Sequence, residues 1–133
     1  MDDPVVTRSV LLVDDDDELR TNLADFLSDE GFSVYGARHG REALDRLAEI
    51  DPPGLILLDL TMPEMDGRQF LAVRRTDPRI ARIPVVILSA VTGKWTGDTV
   101  GADDVLTKPI SLEELLVIVT KYCGQGSREA APR

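Results

Sequence analysis

Leu55-Ile56-Leu57-Leu58-Asp59-Leu60-Thr61-Met62-Pro63-Glu64-Met65-Asp66-Gly67 sets the architecture of this chain. Four apolar residues in a row, bounded upstream by Pro52, Pro53 and Gly54, have the composition of a short strand buried on both faces. The run ends on a carboxylate. In an open parallel sheet, ligands and chemistry collect at the carboxyl ends of the strands, so Asp59 stands at a mouth. Pro63 delays helix until Asp66, which suits a helix cap, with Gln69 three residues on completing a capping box. A solvated acid in a plain strand–loop–helix joint is the other reading of this segment alone.

Working outward, Val10 to Val13 is a second apolar run, and it leads directly into Asp14, Asp15, Asp16 and Asp17. The first of these acids occupy a strand's carboxyl end, as Asp59 does. Asp17 and Glu18 suit the cap and first turn of a helix that carries Leu19, Leu23, Phe26 and Leu27 on one face and stops at Gly31. Phe32 to Ala37 reads as a short strand. His39-Gly40 turns into a helix with Ala43, Leu44 and Leu47 inward, ended by Asp51-Pro52-Pro53. Downstream of the central strand come a helix over about Gly67 to Arg75, a buried strand Val85 to Leu88 ending at Ser89, and a short strand Asp103 to Thr107 ending at Lys108-Pro109. Ser111 and Glu114 form a capping box for a last helix whose inner face is Leu112, Leu115, Leu116 and Val119. Strand and helix alternate five times, which implies one α/β domain with a parallel sheet covered by helices on both faces. Its expected bounds are 9–123, with a lead over 1–8 and a flexible, polar tail over 124–133.

Bulk properties narrow the function classes. The chain has 133 residues, 43% hydrophobic and 29% charged, as expected of a globular domain with a real core. Lys plus Arg is 15 against 24 Asp plus Glu, a formal charge of −9. That balance argues against nucleic-acid binding by this domain and suits a cation or a basic partner surface. A lone cysteine, Cys123, excludes an internal disulfide framework. The start of the chain lacks the apolar core of a signal peptide, and no apolar run approaches the roughly 18 residues of a membrane span. A cytoplasmic protein with no membrane partner is expected. The single histidine, His39, excludes histidine triads and zinc clusters; turn duty suits it, as a buried helix-end position suits Cys123.

The strand ends together supply Asp14, Asp15, Asp59, Ser89 and Lys108. Three carboxylates within a few ångströms repel one another unless a cation sits among them, and all-oxygen ligands favour Mg²⁺. An acidic cluster faced by a lysine and a hydroxyl suits phosphoryl chemistry: cations offset charge on the phosphoryl oxygens while a carboxylate attacks in line.

Five motifs in order now carry a resemblance: Asp14-Asp15 after Val13; Asp59 with Met62-Pro63-Glu64-Met65-Asp66-Gly67; Ser89-Ala90; Gly101-Ala102-Asp103-Asp104; and Lys108-Pro109. Over roughly residues 9 to 122 the sequence resembles a response-regulator receiver domain of two-component signalling. The resemblance implies a doubly wound, flavodoxin-like sheet of five parallel strands in the order 2-1-3-4-5. It implies Mg²⁺-dependent phosphorylation of Asp59 by a sensor histidine kinase or phosphotransfer protein, read by a downstream protein effector. Asp15 and Asp59 would bind Mg²⁺ directly, the backbone carbonyl of Thr61 would be a third ligand, and Asp14 would act through water. Ser89 would be the hydroxyl that turns towards the phosphoryl group, Lys108 the cation that pairs with it, and Lys108-Pro109 a cis peptide. Such a domain assists its own phosphoryl transfer and dephosphorylation without being an enzyme in the usual sense.

Two departures accompany the resemblance. Val105 stands where the family often has a switching aromatic on strand five, and the span from Ser89 to Gly101 is a few residues short. Gly93 and Gly97 each cost about 1 kcal/mol in a helix interior, so the helix between the fourth and fifth strands is expected to be short or missing, with Trp95 in a loop. Three other readings stay in view. A phosphatase with an aspartyl-phosphate intermediate would need a second acid that Asp59-Leu60-Thr61 lacks. A flavin carrier would need glycine and hydroxyls where four acids stand. A receiver-like module could signal without phosphorylation.

Overall fold

Short apolar runs spaced by amphipathic segments leave the chain one economical way to hide its backbone polar groups: pair the runs side by side and lay the helices over them. The computed structural model, which describes residues 8–59, 67–89 and 102–124, has this form. In chain order the elements are β1 (Ser9–Val13), α1 (Asp17–Asp29), β2 (Ser33–Ala37), α2 (Gly40–Glu49), β3 (Leu55–Asp59), α3 (Gly67–Arg75), β4 (Val85–Ser89), β5 (Asp104–Thr107) and α4 (Leu112–Val119), which runs on into one wider turn, Thr120–Gly124. All strand pairings are parallel and the order is β2-β1-β3-β4-β5, the order expected. The direction of winding reverses between β1 and β3, the switch point beside which open sheets of this kind hold their ligands at the carboxyl edge.

Strand periodicity divides the interior in two. On one side of the sheet, Leu11, Val13, Ile56, Leu58, Val85 and Ile87 pack with Ala43 and Leu47 of α2 and Phe70 and Leu71 of α3. On the other, Val10, Leu12, Leu55, Leu57, Val86 and Leu88 pack with Leu23 and Leu27 of α1 and Leu115 and Val119 of α4. Every residue of β3 and β4 is buried, which is why those strands read as unbroken apolar runs instead of alternating ones. Each apolar side chain among them stabilises the fold by about 1.5–3 kcal/mol through removal from water.

The helix ends follow local chemistry. Asp16, one residue earlier than the sequence suggests, caps α1 by accepting from the Leu19 N–H at 3.1 Å, which leaves Asp17 and Glu18 to face the positive end of the helix. Gly31 ends that helix at φ +98°, a conformation that costs a side chain and not a glycine. His39 caps α2, its Nδ1 accepting from the Glu42 N–H at 3.2 Å, while Glu42 reaches back to the Arg38 N–H at 2.6 Å. Ser111 caps α4 by accepting from the Glu114 N–H, as expected. Leu112 is a correction: it does not face inward but is 44% exposed, because it opens α4 about one turn ahead of Leu115, where the helix first reaches the core. Leu60, Thr61, Asp66, Trp95, the segment 90–101 on which the expectation of a short or missing helix falls, the lead up to residue 7 and the tail from residue 125 lie outside the described residues.

Candidate functional site

Register brings the acids together. Val13 of β1 pairs with Leu58 of β3, so the next residue of each strand, Asp14 and Asp59, arrives at the same level beside the crevice. At the far side Ser89 of β4 pairs with Thr107 of β5, and the Lys108 N–H donates to the Ser89 carbonyl at 2.7 Å. The Lys108-Pro109 peptide is cis. Lys108 thereby extends its ammonium back across the carboxyl edge to stand 3.0 Å from Asp14 Oδ2 and 3.6 Å from Asp59 Oδ2. Four of the side chains singled out from sequence, Asp14, Asp59, Ser89 and Lys108, therefore meet at one edge, and Asp15 joins them from the β1–α1 loop.

Asp14 is fully buried and held on several sides. Its N–H donates to the Ala37 carbonyl at 3.1 Å, its Oδ1 accepts from the Asp16 N–H at 2.9 Å, and its carbonyl accepts from Arg20 Nη1 at 2.7 Å. Its Oδ2 faces the Lys108 ammonium at 3.0 Å and, among the described residues, accepts from no other group. A buried carboxylate oxygen in that state favours a further cation. Asp59 is 6% exposed and Ser89 4%, whereas Asp15 faces solvent.

The charges are strongly coupled. Burial alone would lower the pKa of the Lys108 ammonium; the bond to Asp14, with the negative charges of Asp14, Asp59 and Asp15, outweighs it and leaves the group above its ordinary value. The lysine thus stays charged in the working range. Carboxylate oxygens of Asp14, Asp15 and Asp59 lie within 4.8 Å of one another, close enough for a single ion to touch all three side chains. The donor set is hard oxygen throughout, three carboxylates faced by one lysine, and it fits a divalent cation. Thr61, the fourth expected ligand, lies outside the described residues.

Two functional contacts escaped the reading of the sequence. Arg20 grips the acidic loop through the Asp14 carbonyl and through Asp17 Oδ1 at 2.5 Å; its signal was the i, i+3 spacing from Asp17. His39 is more than a turn residue, since it caps the helix that follows the neighbouring strand.

A doubly wound parallel sheet that gathers an acid pair, a nearly buried carboxylate, a hydroxyl and a charged lysine at its carboxyl edge defines a class: phosphoaccepting signalling domains. Residues 10–120 match the family model of the response regulator receiver domain, and the chain belongs to that family. It is similar to the response regulator MprA of Mycolicibacterium vanbaalenii, 42% identical over 110 residues that make up 80% of this chain and 46% of that protein. It is also similar to the transcriptional regulatory protein GltR of Pseudomonas aeruginosa, 38% identical over 112 residues, 82% of this chain and 46% of that one. The chain therefore spans about half the length of the curated relatives it matches. Among solved structures, the chemotaxis response regulator CheY4 of Vibrio cholerae superposes with a TM-score of 0.80 at 32% identity, covering 87% of this chain and 98% of that one. The domain is a phosphoaccepting switch of two-component signalling.

Proposed function

We propose that Asp59 is the phosphoacceptor, supplied by a sensor histidine kinase or phosphotransfer protein, and that its phosphorylation changes a surface read by a downstream protein effector. One observation supports this above the rest: Asp59 ends the central, wholly buried strand with the Lys108 ammonium 3.6 Å from its Oδ2 and two further carboxylates within a cation's reach. A carboxylate oxygen of Asp59 forms the new O–P bond while the donor's bond to phosphorus breaks and the donor leaves with that electron pair. Lys108 moves its charge from the carboxylate to a phosphoryl oxygen, and the Ser89 hydroxyl turns to donate to another. Asp14, Asp15 and Asp59, with the Thr61 carbonyl, would hold Mg²⁺. When bound, that ion offsets the negative charge gathered at the edge and on the phosphoryl oxygens. The domain would thus assist its own phosphoryl transfer and its own dephosphorylation by water.

On this reading the domain works in the cytoplasm and meets proteins. No helix among the described residues is long and apolar enough to cross a membrane. The formal charge of −9 opposes direct contact of the domain with nucleic acid. The test is to incubate the protein with Mg²⁺ and a small acyl phosphate and to count base-labile phosphates. The wild type should carry one and Asp59→Asn none; a label that survives in the variant would move the acceptor elsewhere.

A further inference from the structure

We propose that Arg20 is a positioning residue for the divalent cation: it orients the Asp14–Asp15 peptide and so aims the ligands before metal arrives. This inference rests on the metal reading of the acid cluster given above.

The contact is specific. Arg20 lies one turn into α1, its side chain only 19% exposed, and its Nη1 donates to the Asp14 carbonyl at 2.7 Å while Nη2 pairs with Asp17 Oδ1 at 2.5 Å. The carbonyl it holds belongs to the peptide that joins Asp14 to Asp15. Fixing that peptide plane fixes the direction in which the chain leaves β1, and with it the place from which the exposed Asp15 carboxylate projects. Asp14 is also pinned through its N–H and Oδ1, and the guanidinium adds the third hold, on its carbonyl.

The stem of Arg20 packs on the neighbouring strand: it lies over Gly36 of β2, where an added Cβ would meet Arg20 Cδ at 3.4 Å and Nε at 3.6 Å, ordinary van der Waals contact. A planar, forked cation suits the task because it spans a carbonyl and a carboxylate at once with little further loss of freedom.

Electrostatics sets this role apart from its rivals. A fixed cation beside a cation site opposes metal binding by Coulomb repulsion, so a guanidinium acting only through charge would weaken Mg²⁺ affinity. A guanidinium acting through ligand geometry strengthens it, as outer contacts to metal ligands commonly do by a factor of ten or more. The two roles predict opposite signs when the charge is removed.

Mg²⁺ titration calorimetry on the full chain, with thermal unfolding in metal-free buffer alongside, decides between them. Arg20→Met keeps the stem over Gly36 and removes the donors; it should raise the Kd for Mg²⁺ about tenfold. Arg20→Lys keeps the charge and one donor and should recover most of that loss, and it serves alone if the methionine variant does not fold, when a Kd a few-fold above wild type is expected. An unchanged Kd with a lower melting temperature would make Arg20 a purely structural residue and overturn the proposal, as would tighter binding by Arg20→Met. Absence of Mg²⁺ binding by the wild type would overturn the metal reading itself and this inference with it.

Discussion

Replacing Lys108 by Met keeps a long side chain of similar volume at the carboxyl edge and removes only the ammonium, so the loss is electrostatic more than steric. In the metal-free protein that ammonium stands 3.0 Å from Asp14 Oδ2 and 3.6 Å from Asp59 Oδ2. With an effective dielectric constant of about 20, each contact is worth about 5 kcal/mol, and desolvation of the charges opposes several kcal/mol of the total. The buried Asp14 carboxylate left behind dominates the outcome, since removing one partner of a buried pair costs about 3–5 kcal/mol. Lys108 is 23% exposed, so the lower end applies, about 3 kcal/mol, or roughly 10 °C in melting temperature for a domain of this size. The pH dependence is diagnostic. The folded protein raises the pKa of Lys108, so its stabilisation is complete below the unfolded value of about 10.4 and is lost as pH rises through the folded value. Urea unfolding of both proteins in metal-free buffer should therefore show a constant gap from neutrality to about pH 10, shrinking at higher pH. Saturating Mg²⁺ should narrow the gap too, because a divalent cation replaces the missing charge. A variant as stable as wild type at pH 7, or a gap that persists undiminished once lysine is neutral, would refute the reasoning.

Three smaller tests probe the frame that holds the site. His39→Ala removes the acceptor that caps α2 and should cost about 1 kcal/mol in urea unfolding, with His39→Asn recovering most of it; equal midpoints would deny the cap. Phe70→Ala opens a cavity beneath α3 at a side chain with no exposure and should cost about 3–5 kcal/mol, against an error near 0.5 in the same assay. Burial pushes the Cys123 thiol up to about 11, so alkylation at pH 8 should follow the unfolding rate, and rapid labelling of the native protein would show the helix end to be open.

Strands whose two faces are both buried announce themselves as apolar runs, so Val10–Val13, Leu55–Leu58 and Val85–Leu88 were legible, and with them the carboxyl-edge positions of Asp14, Asp59 and Ser89. The convergence of Lys108 on Asp14 needed the strand order, which periodicity cannot supply and which the family resemblance did. Leu112 was misplaced because a helical wheel knows the angle of a residue around its axis and not whether the sheet extends beneath that turn. The cap of α1 fell on Asp16 because four consecutive acids offer several nearly equivalent caps, and the choice depends on where β1 releases the chain. Arg20 escaped notice since its main partner is a backbone carbonyl, which sequence does not display. Arg79, whose guanidinium donates to the Leu47 and Ile50 carbonyls at the end of α2, escaped for the same reason.

Because the sheet splits the interior into two apolar compartments that share no side chain, a change in one reaches the other mainly through the strands themselves. Core substitutions on opposite sides, such as Phe70→Ala and Leu115→Ala, should therefore be nearly additive in free energy. The same partition gives the lineage latitude. The layer of α2 and α3 and the layer of α1 and α4 can drift at separate rates, each free to acquire new recognition without retuning the other. What neither layer can change alone is the rim where the strands end: Asp59 and Ser89 close their strands, Asp14 and Lys108 follow directly on theirs, and the sheet is common property.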